Sequence, residues 1–545
     1  MDVASTSDAS TVARLSTKAQ VPSWSEEANS FKTFARAYRY WLPPALVSVA
    51  LSFLFLNPFI GDWDGLDYTV FSLRGVPSSM ALGRSLFTLF NHELYVIAHA
   101  IFGVQPEQAY LLFKYAVVAQ SPLTIIVCWI LARDLTGSIR SATIASLLVA
   151  FSPMFVIYSG QVMTDVPSVL VSVTALVIHL RGVQQRRVWL TLVGAALLGL
   201  GVNVRETVGL FLPWLVIAPF VGGWKLDRRS IAVVMFLIVT FFVCAFGIFA
   251  FWFANDPAYR ATWHVWLSSM QDESARHPVG IANVRPFLIY FFMAAPLAFV
   301  ALPWAAWKEW RARGWSLLLS AACVGLFANA MLFFNYSTTI NWRYFLTGVP
   351  LLAPMVGDYF VRSQTEKLNN ARRGFVTAVA GVVLVAGLMG LLVRPASSEY
   401  FNHLALAKDY NARLQLMPRD AVVIAGAETV AVTYWRGIGA GQWDHIGVGA
   451  GWPDGRLEAK IAEYLKSGRR VFLDTDPRWW QPCSWHVKEI VELAKIDSRF
   501  HFVRVAPTIY EIRPAEDASA NDQPHLEMLL PENRPEEVKK CFSAE

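Results

Sequence analysis

Three carboxylates lie within six residues of the stretch 61–68, directly after the apolar run 41–60. They belong to Asp62, Asp64 and Asp67. Acidic residues at the mouth of a membrane helix cost desolvation free energy unless they stay hydrated, so their presence needs a reason. A carboxylate held beside a hydroxyl can act as its general base. The stretch therefore predicts a carboxylate site at the wet end of a span; the competing interpretation is a solvated loop that caps a helix.

Three further polar positions interrupt or open apolar runs. Asp165 stands two residues before Pro167, Arg205 and Glu206 separate two runs, and Arg343 opens a late one. Arginine matches a phosphate in two-point geometry. Each position also has a simpler interpretation. The Asp would complement a helix dipole, Arg205 would pair with Glu206 or extend to the interface, and Arg343 would anchor a helix end at the interface instead of meeting a lipid phosphate.

The composition indicates the kind of scaffold that holds these residues. The chain of 545 residues is 55% hydrophobic and only 16% charged, with a mean hydropathy of +0.39. Soluble globular chains carry about 25% charged residues. The net charge of +6 resides in short Lys and Arg clusters between apolar runs. This pattern is typical of cytoplasmic loops and excludes a nucleic-acid partner as its explanation.

The sequence predicts a polytopic α-helical membrane protein with about 11 transmembrane helices. Each apolar run has roughly the 17–25 residues that a bilayer demands. The predicted spans are 41–60, 108–132, 141–158, 165–181, 188–204, 206–222, 231–254, 285–307, 315–335, 343–361 and 374–393.

Basic and non-basic loops alternate along this series, and the positive-inside rule places the basic ones in the cytoplasm. The alternation holds only if the stretch 84–102 is not a span, so we interpret it as one or two helices in the outer interface. The first outer loop then covers 61–107. The long outer segment 255–284 is predicted to be a mobile loop that captures a substrate.

The two ends of the chain differ from the middle. Residues 1–39 are polar and predict a disordered cytoplasmic tail, residues 40–394 form the membrane domain, and residues 395–545 form an α/β soluble domain facing the periplasm. Strands are predicted at 420–427, 469–474, 500–504 and 508–512, a helix at 455–467, a glycine-rich loop at 437–455 and loose structure at 515–545. Cys483 and Cys541 could form a disulfide there.

With these residues in place, the chain resembles the GT-C superfamily of integral-membrane glycosyltransferases over residues 40–395. The similar groups are the protein O-mannosyltransferases, the aminoarabinose transferase of lipid A and the rhizobial galacturonosyltransferases. The resemblance rests on the stretch from Asp64 to Tyr68, on interfacial helices after it, on Asp165 with its proline, and on the Arg205-Glu206 pair. Family members often show Asp-Glu-x-x-Tyr in the first loop, where this chain has Gly65 in place of Glu.

The resemblance implies an enzyme that uses a polyprenyl-phosphate sugar as its donor. Asp64 would be the catalytic carboxylate, with Asp62 as the second candidate because Gly65 breaks the family pattern. Arg205 would contact the donor phosphate. The residue patterns described above add Asp67, Tyr68, Asp165, Glu206 and Arg343 as candidate substrate-binding residues. The expected acceptor is an envelope glycolipid, polysaccharide or protein, and the location is the bacterial inner membrane with its lipids. No metal ligands are assigned, although a divalent cation could neutralise the donor phosphate.

Two other functions compete with this interpretation. A transporter or flippase of lipid-linked sugars would show charged residues in mid-span and paired hydrophobic segments in two related halves. The sequence instead concentrates its polar residues at outer helix ends. A non-catalytic scaffold that binds envelope proteins through its C-terminal domain would leave the three-carboxylate stretch unexplained.

Overall fold

The structure is a computed structural model of the chain. It describes residues 37–56, 63–276, 279–334, 342–367, 408–409, 411–424, 443–446, 456–480, 499–515, 522 and 524–538. Four predicted features lie outside these residues: residues 1–36 of the predicted tail 1–39, Asp62, the eleventh predicted span at 374–393, and the pair Cys483 and Cys541.

The membrane part is built of α-helices joined by short turns. In chain order they are α1 Tyr38–Leu54, α2 Trp63–Arg74, α3 Ser85–Phe102, α4 Ala109–Thr136, α5 Ile139–Ala150, α6 Pro153–Tyr158, α7 Asp165–Gln184, α8 Val188–Val202, α9 Leu212–Val221, α10 Arg228–Asn255, α11 Pro257–Arg276, α12 Val284–Ala294, α13 Pro296–Arg313, α14 Leu317–Met331 and α15 Val349–Lys367. Short 3₁₀ helices connect several of them, at Ala81–Arg84, Pro106–Gln108, Glu206–Phe211, Ile281–Asn283, Leu332–Phe334 and Trp342–Thr347.

Every predicted span from 41–60 to 343–361 contains helix. Within the described residues, four helices are both long and apolar enough to cross a membrane: Pro106–Thr136, Asp165–Gln184, Arg228–Asn255 and Leu317–Phe334. A fifth candidate consists of Val284–Ala294 and Ala298–Arg313, which are bent by 83°. Three further apolar helices are shorter, at Ile139–Ala150, Val188–Val202 and Glu206–Val221.

Within the described residues, the helices bury a large continuous apolar core and a small separate cluster around Phe55 and Val156, and their outer faces differ in exposure. Helix α7 is mostly buried, whereas α10 exposes Phe236, Phe242 and Phe246 on its outer side. An exposed apolar helix face of this kind is expected where a helix borders lipid. Helices α8 and α10 approach closely at Gly199, where a Cβ would lie 2.4 Å from the Phe241 carbonyl oxygen.

Two predicted loops contain helix. The acidic stretch enters α2 at Trp63, so Asp64 and Asp67 lie on a helix and not in an irregular turn. The segment 255–284, predicted as a mobile loop, forms α11 over Pro257–Arg276. The stretch 84–102 forms a single helix, α3, whose first turn follows a left-handed Arg84 (φ 40°).

The C-terminal part forms a five-stranded sheet with its own apolar core. Its strands are β1 Val422–Ile424, β2 Asp444–His445, β3 Val471–Asp474, β4 Phe500–Ala506 and β5 Ile509–Pro514, and the helix α16 Arg456–Lys466 precedes β3. The order is β2-β1-β3-β5-β4; β1 is parallel to β2 and β3, and β5 is antiparallel to β3 and β4. The mixture of parallel strands and helix agrees with the predicted α/β class.

Two predictions for this part are wrong in detail. The stretch 437–455, predicted as a loop, contributes β2 to the sheet edge. The stretch 515–545, predicted to be loose, contains 3₁₀ turns at Leu526–Leu529 and Pro531–Asn533. Leu526 and Leu529, at the two ends of the first of these turns, are buried in the core of the sheet. Removal of their apolar side chains from water favours an ordered turn here.

Candidate active site

Asp64 lies in the first turn of α2, where a carboxylate is stabilised by the positive end of the helix dipole. The neighbouring Gly65 is buried. A Cβ at this position would lie 3.3 Å from the Val162 carbonyl oxygen and 3.4 Å from the Tyr110 hydroxyl. The glycine therefore allows α2 to approach these two groups closely, which a larger residue would prevent unless its neighbours moved.

Arg343 forms an ion pair with Asp64. Its Nη2 donates a hydrogen bond to Asp64 Oδ2, and the two side chains are 10% and 18% exposed. Burial alone would raise the pKa of Asp64. The charge of Arg343, with those of Arg84 and Arg205, outweighs burial and lowers that pKa below its usual range. Asp64 is therefore a carboxylate at neutral pH, with its charge balanced by Arg343.

A second ion pair joins Asp165 to Arg205. Arg205 Nη1 lies 2.5 Å from Asp165 Oδ1, and the two side chains are only 1% and 3% exposed. Among the described residues, Arg205 Nε, Arg205 Nη2 and Asp165 Oδ2 have no hydrogen-bond partner. Such buried polar atoms are costly to leave unsatisfied, so their retention indicates a site that binds polar groups.

Tyr344 brings the two ion pairs together. The guanidinium carbon of Arg205 lies 4.6 Å from the centre of the Tyr344 ring, and that of Arg343 lies 5.5 Å from it. The Arg343 carbon also lies 5.9 Å from the centre of the Tyr158 ring. Contacts of this kind hold a guanidinium in place while leaving its N–H edge available for an anion. The arrangement thus presents two cations and two carboxylates around aromatic rings.

Asp67 and Tyr68 lie one turn further along α2 and are buried. Asp67 accepts hydrogen bonds from the Ser79 hydroxyl and from the Ser79 backbone N–H, the latter at 3.3 Å. Burial, with a smaller contribution from the Asp64 charge, raises the pKa of Asp67 to about 6. The Tyr68 ring packs edge-on against Phe87, with ring centres 5.2 Å apart. Asp67 is thus held by Ser79 and Tyr68 by Phe87, and among the described residues no hydrogen bond or ion pair joins either of them to Arg343 or Arg205.

Glu206 pairs with Arg84 and not with its neighbour Arg205, so the intraloop pair considered from the sequence is wrong. Arg84 Nη2 donates to Glu206 Oε1 at 3.2 Å, and its Nε donates to Oε2 at 3.3 Å. The Arg84 guanidinium also lies over the Tyr68 ring at 5.5 Å. This ion pair connects the start of α3 to the polar break between α8 and α9. Because Glu206 pairs with Arg84, Arg205 pairs with Asp165 instead.

Sequence reasoning missed two cations, Arg84 and Lys114. Lys114 lies inside α4, is 1% exposed, and its ammonium lies 4.2 Å from the centre of the Tyr110 ring. The available signal was a lysine within an apolar run, because an ionisable residue inside a span indicates function by default. Arg84 left a weaker signal, since arginine before a helix is common.

The structure therefore brings together Asp64, Arg343, Asp165 and Arg205. Glu206 is adjacent to Arg205 in the chain but pairs with Arg84, and Asp67 and Tyr68 lie further along α2. Asp62 lies outside the described residues. Within the described ranges, no three His, Cys, Asp or Glu side chains meet as metal ligands do. Both central carboxylates are paired with guanidinium groups, which balance the negative charge that would attract a divalent cation, so the arrangement suits an anion better than a metal ion.

Comparisons with known proteins agree with this architecture. Residues 94–252 match the family model described as dolichyl-phosphate-mannose-protein mannosyltransferase. The fold is similar to that of ArnT from Cupriavidus metallidurans in the apo state, with a TM-score of 0.52 and 15% identity. The alignment covers 87% of this chain and 96% of that one. No curated protein matches the chain in sequence.

Two structures of the oligosaccharyltransferase from Archaeoglobus fulgidus are more distant. One, with Zn and sulfate, has 13% identity and a TM-score of 0.44 over 87% of this chain and 73% of that one. The other, tethered to an acceptor peptide, has 11% identity and a TM-score of 0.49 over 88% and 74%. The family match over residues 94–252 and the fold similarity to ArnT agree with the resemblance of this chain to the GT-C superfamily of integral-membrane glycosyltransferases.

Proposed function

We propose that this chain transfers a sugar from a polyprenyl-phosphate donor to a hydroxyl of an envelope acceptor, at the periplasmic face of a bacterial inner membrane. The observation that carries the proposal is the joining of Asp64–Arg343 and Asp165–Arg205 around Tyr344. It supplies one carboxylate close to water and two guanidinium groups for a phosphate. The acceptor is a glycolipid, polysaccharide or protein.

The two arginines are suited to the donor phosphate. Guanidinium groups bind phosphate oxygens in a bidentate manner and keep their charge at any working pH. Two buried nitrogen atoms of Arg205, Nε and Nη2, have no hydrogen-bond partner among the described residues, and the same is true of Arg343 Nε. A polyprenyl tail remains in lipid while its phosphate reaches such groups at the ends of helices. The sequence holds no nucleotide-binding glycine motif, which agrees with a lipid-linked donor.

Asp64 acts as the general base in this proposal. The acceptor oxygen attacks the anomeric carbon, the bond from that carbon to the phosphate oxygen breaks, and the polyprenyl phosphate leaves with the electron pair. The acceptor proton passes to Asp64. A carboxylate whose pKa is lowered by Arg343 is a weak base. A donor phosphate that engages Arg343 neutralises part of that charge, so donor binding strengthens the base when it is needed.

The remaining parts of the chain have supporting roles. Asp67 and Tyr68 position α2, Glu206 positions Arg84, and Asp62 stays a second candidate base. The N-terminal tail lies in the cytoplasm, and the C-terminal α/β domain of residues 395–545 lies in the periplasm, where it would meet the acceptor. The basic clusters between the helices support this orientation.

The experiment compares Asp64→Asn, Asp62→Asn and the double variant with Glu107→Gln, which removes an exposed carboxylate in the same outer segment. Envelope glycolipids from cells with and without the gene are analysed by mass spectrometry to identify sugar and acceptor, and transfer is then measured with the purified protein. Because general-base catalysis contributes about 10²–10⁴-fold, Asp64→Asn should lower transfer by that factor. Glu107→Gln should leave it unchanged. Full transfer by the double variant, with normal membrane insertion, would contradict the proposal and favour a transporter of lipid-linked sugars.

A further inference from the structure

A second polar site lies at the opposite ends of the spans, between the C-terminal turns of α13 and α15. It is a cavity of about 360 Å³. Ligand pockets have volumes of about 300–1,000 Å³, so a small headgroup fits. Its lining includes the cations Lys308, Arg311 and Arg362, together with Glu309 and Asp358. None of these residues belongs to the proposed active site.

The two carboxylates are buried and organise the cavity wall. Glu309 is 3% exposed and accepts a hydrogen bond from the Ser316 hydroxyl at 2.7 Å. Arg362 lies 3.4 Å from Glu309 and 2.5 Å from Asp358, and so bridges the two helices. Arg313 adds a further contact with Glu309 at 3.5 Å. The carboxylates thus fix Arg362 in the wall, where its charge remains close to the cavity.

Lys308 and Arg311 are exposed and are held by aromatic rings. The Lys308 ammonium lies 5.4 Å from the centre of the Tyr359 ring, and the Arg311 guanidinium carbon lies 5.1 Å from that of Trp307. Counted over the described side chains of this site, with Arg313 included, four cations face two carboxylates. The excess of positive charge favours an anionic ligand.

The position of the cavity indicates where that ligand comes from. Trp304, Trp307 and Trp310 are exposed along α13, and Trp315 follows at the next turn. Exposed tryptophans at the end of a membrane helix mark the level of the lipid headgroups. Basic pockets between membrane helices at this level bind the headgroups of anionic lipids. In the proposed orientation, this end of the helices faces the cytoplasm.

We infer that the cavity between α13 and α15 binds the phosphate headgroup of an anionic membrane phospholipid. Lys308 and Arg311 contact the phosphate, Arg362 contributes charge from the wall, and Trp307 lies beside the upper part of the lipid. The site lies apart from Asp64 and Arg205, and its existence does not depend on the proposed transfer reaction.

The test uses the full chain, purified in neutral detergent, and native mass spectrometry to measure lipid binding. The probes are dioleoyl phosphatidylglycerol, dioleoyl phosphatidylcholine and inorganic phosphate. The variant Lys308→Gln/Arg311→Gln removes both exposed cations, and Arg228→Gln/Arg229→Gln is the matched control in another basic loop. A cation close to an anionic headgroup strengthens binding by about fivefold, so the double variant should bind phosphatidylglycerol about thirtyfold more weakly.

The wild-type protein and the Arg228/Arg229 control should bind phosphatidylglycerol equally well and prefer it to phosphatidylcholine. The single variant Lys308→Gln should show a loss of about fivefold, which keeps the test valid if the double variant misfolds. Equal phosphatidylglycerol binding by wild type and the Lys308 variants would overturn the inference. Displacement of the lipid by inorganic phosphate at similar concentration would also overturn it, because the cavity would then be a site for small anions.

Discussion

The pair of Asp165 and Arg205 allows a quantitative test of the proposed site. Both side chains are almost fully buried and lie 2.5 Å apart, so each charge depends on the other for its stabilisation. Removing one partner of a buried ion pair costs about 3–5 kcal/mol, whereas replacing both is often neutral. We therefore expect Asp165→Asn and Arg205→Met each to lower the free energy of unfolding by about 3–5 kcal/mol. The double variant should recover to within about 1 kcal/mol of the wild type.

The free energy of unfolding would be measured by titration with SDS in mixed micelles, and sugar transfer would be measured on the same samples. Arg229→Met removes an exposed arginine and serves as the control, with an expected change of less than about 0.5 kcal/mol. All three variants of the pair should lose transfer, including the stable double variant, because the phosphate contact is absent. Single-variant losses that simply add in the double variant would refute the buried-pair reasoning. A stable double variant with full transfer would refute the role of Arg205.

Two further predictions concern stability alone. The pKa of Asp67 is raised from 3.8 to about 6 in the folded protein, so the folded state holds the proton more tightly than the unfolded state, and the free energy of unfolding should fall by about 3 kcal/mol in total as pH rises through this window. Unfolding titrations of Asp67→Asn between pH 4 and pH 7 should lack this loss. An identical pH profile in wild type and variant would contradict the prediction. Gly199→Ala should lower the free energy of unfolding by about 1–3 kcal/mol, because the added Cβ would meet the Phe241 carbonyl oxygen. The control Gly247→Ala on α10 should not lower it, because a Cβ there would enter open space. Equal effects of the two substitutions would be inconsistent with the close approach of α8 and α10.

The positions of the helices were predictable because the length of an apolar run is a local property of the sequence. Each apolar run from 41–60 to 343–361 contains helix, and the acidic stretch, Asp165 and Arg205 were identified without knowledge of their contacts. Their partners were not predictable in the same way. Asp64 and Arg343 are 279 residues apart, and nothing in either local sequence specifies the other. Only the packing of the helices brings them together.

Other differences have local causes that are weak in sequence. Segment 257–276 reads as a polar loop because it lacks an apolar run, yet polar residues form helices readily when an element supports one face. Arg84 adopts a left-handed backbone conformation that is unusual for arginine, and no sequence rule indicates it. Its pairing with Glu206 follows from that turn. Lys114 left a local signal, a lysine within an apolar run, but nothing in that run specifies its contact with the Tyr110 ring.

The separation of Asp64 from Arg343 has a consequence for biogenesis. The two residues that face each other in the site are 279 positions apart, so the ribosome makes nearly the whole membrane part between them. During that time the acidic end of α2 has no guanidinium partner from the Trp342–Thr347 turn and must remain hydrated at the membrane surface. Completion of the ion pair therefore comes late in synthesis and joins the beginning of the membrane part to its end, so that nascent chains released before this turn cannot form the Asp64–Arg343 pair.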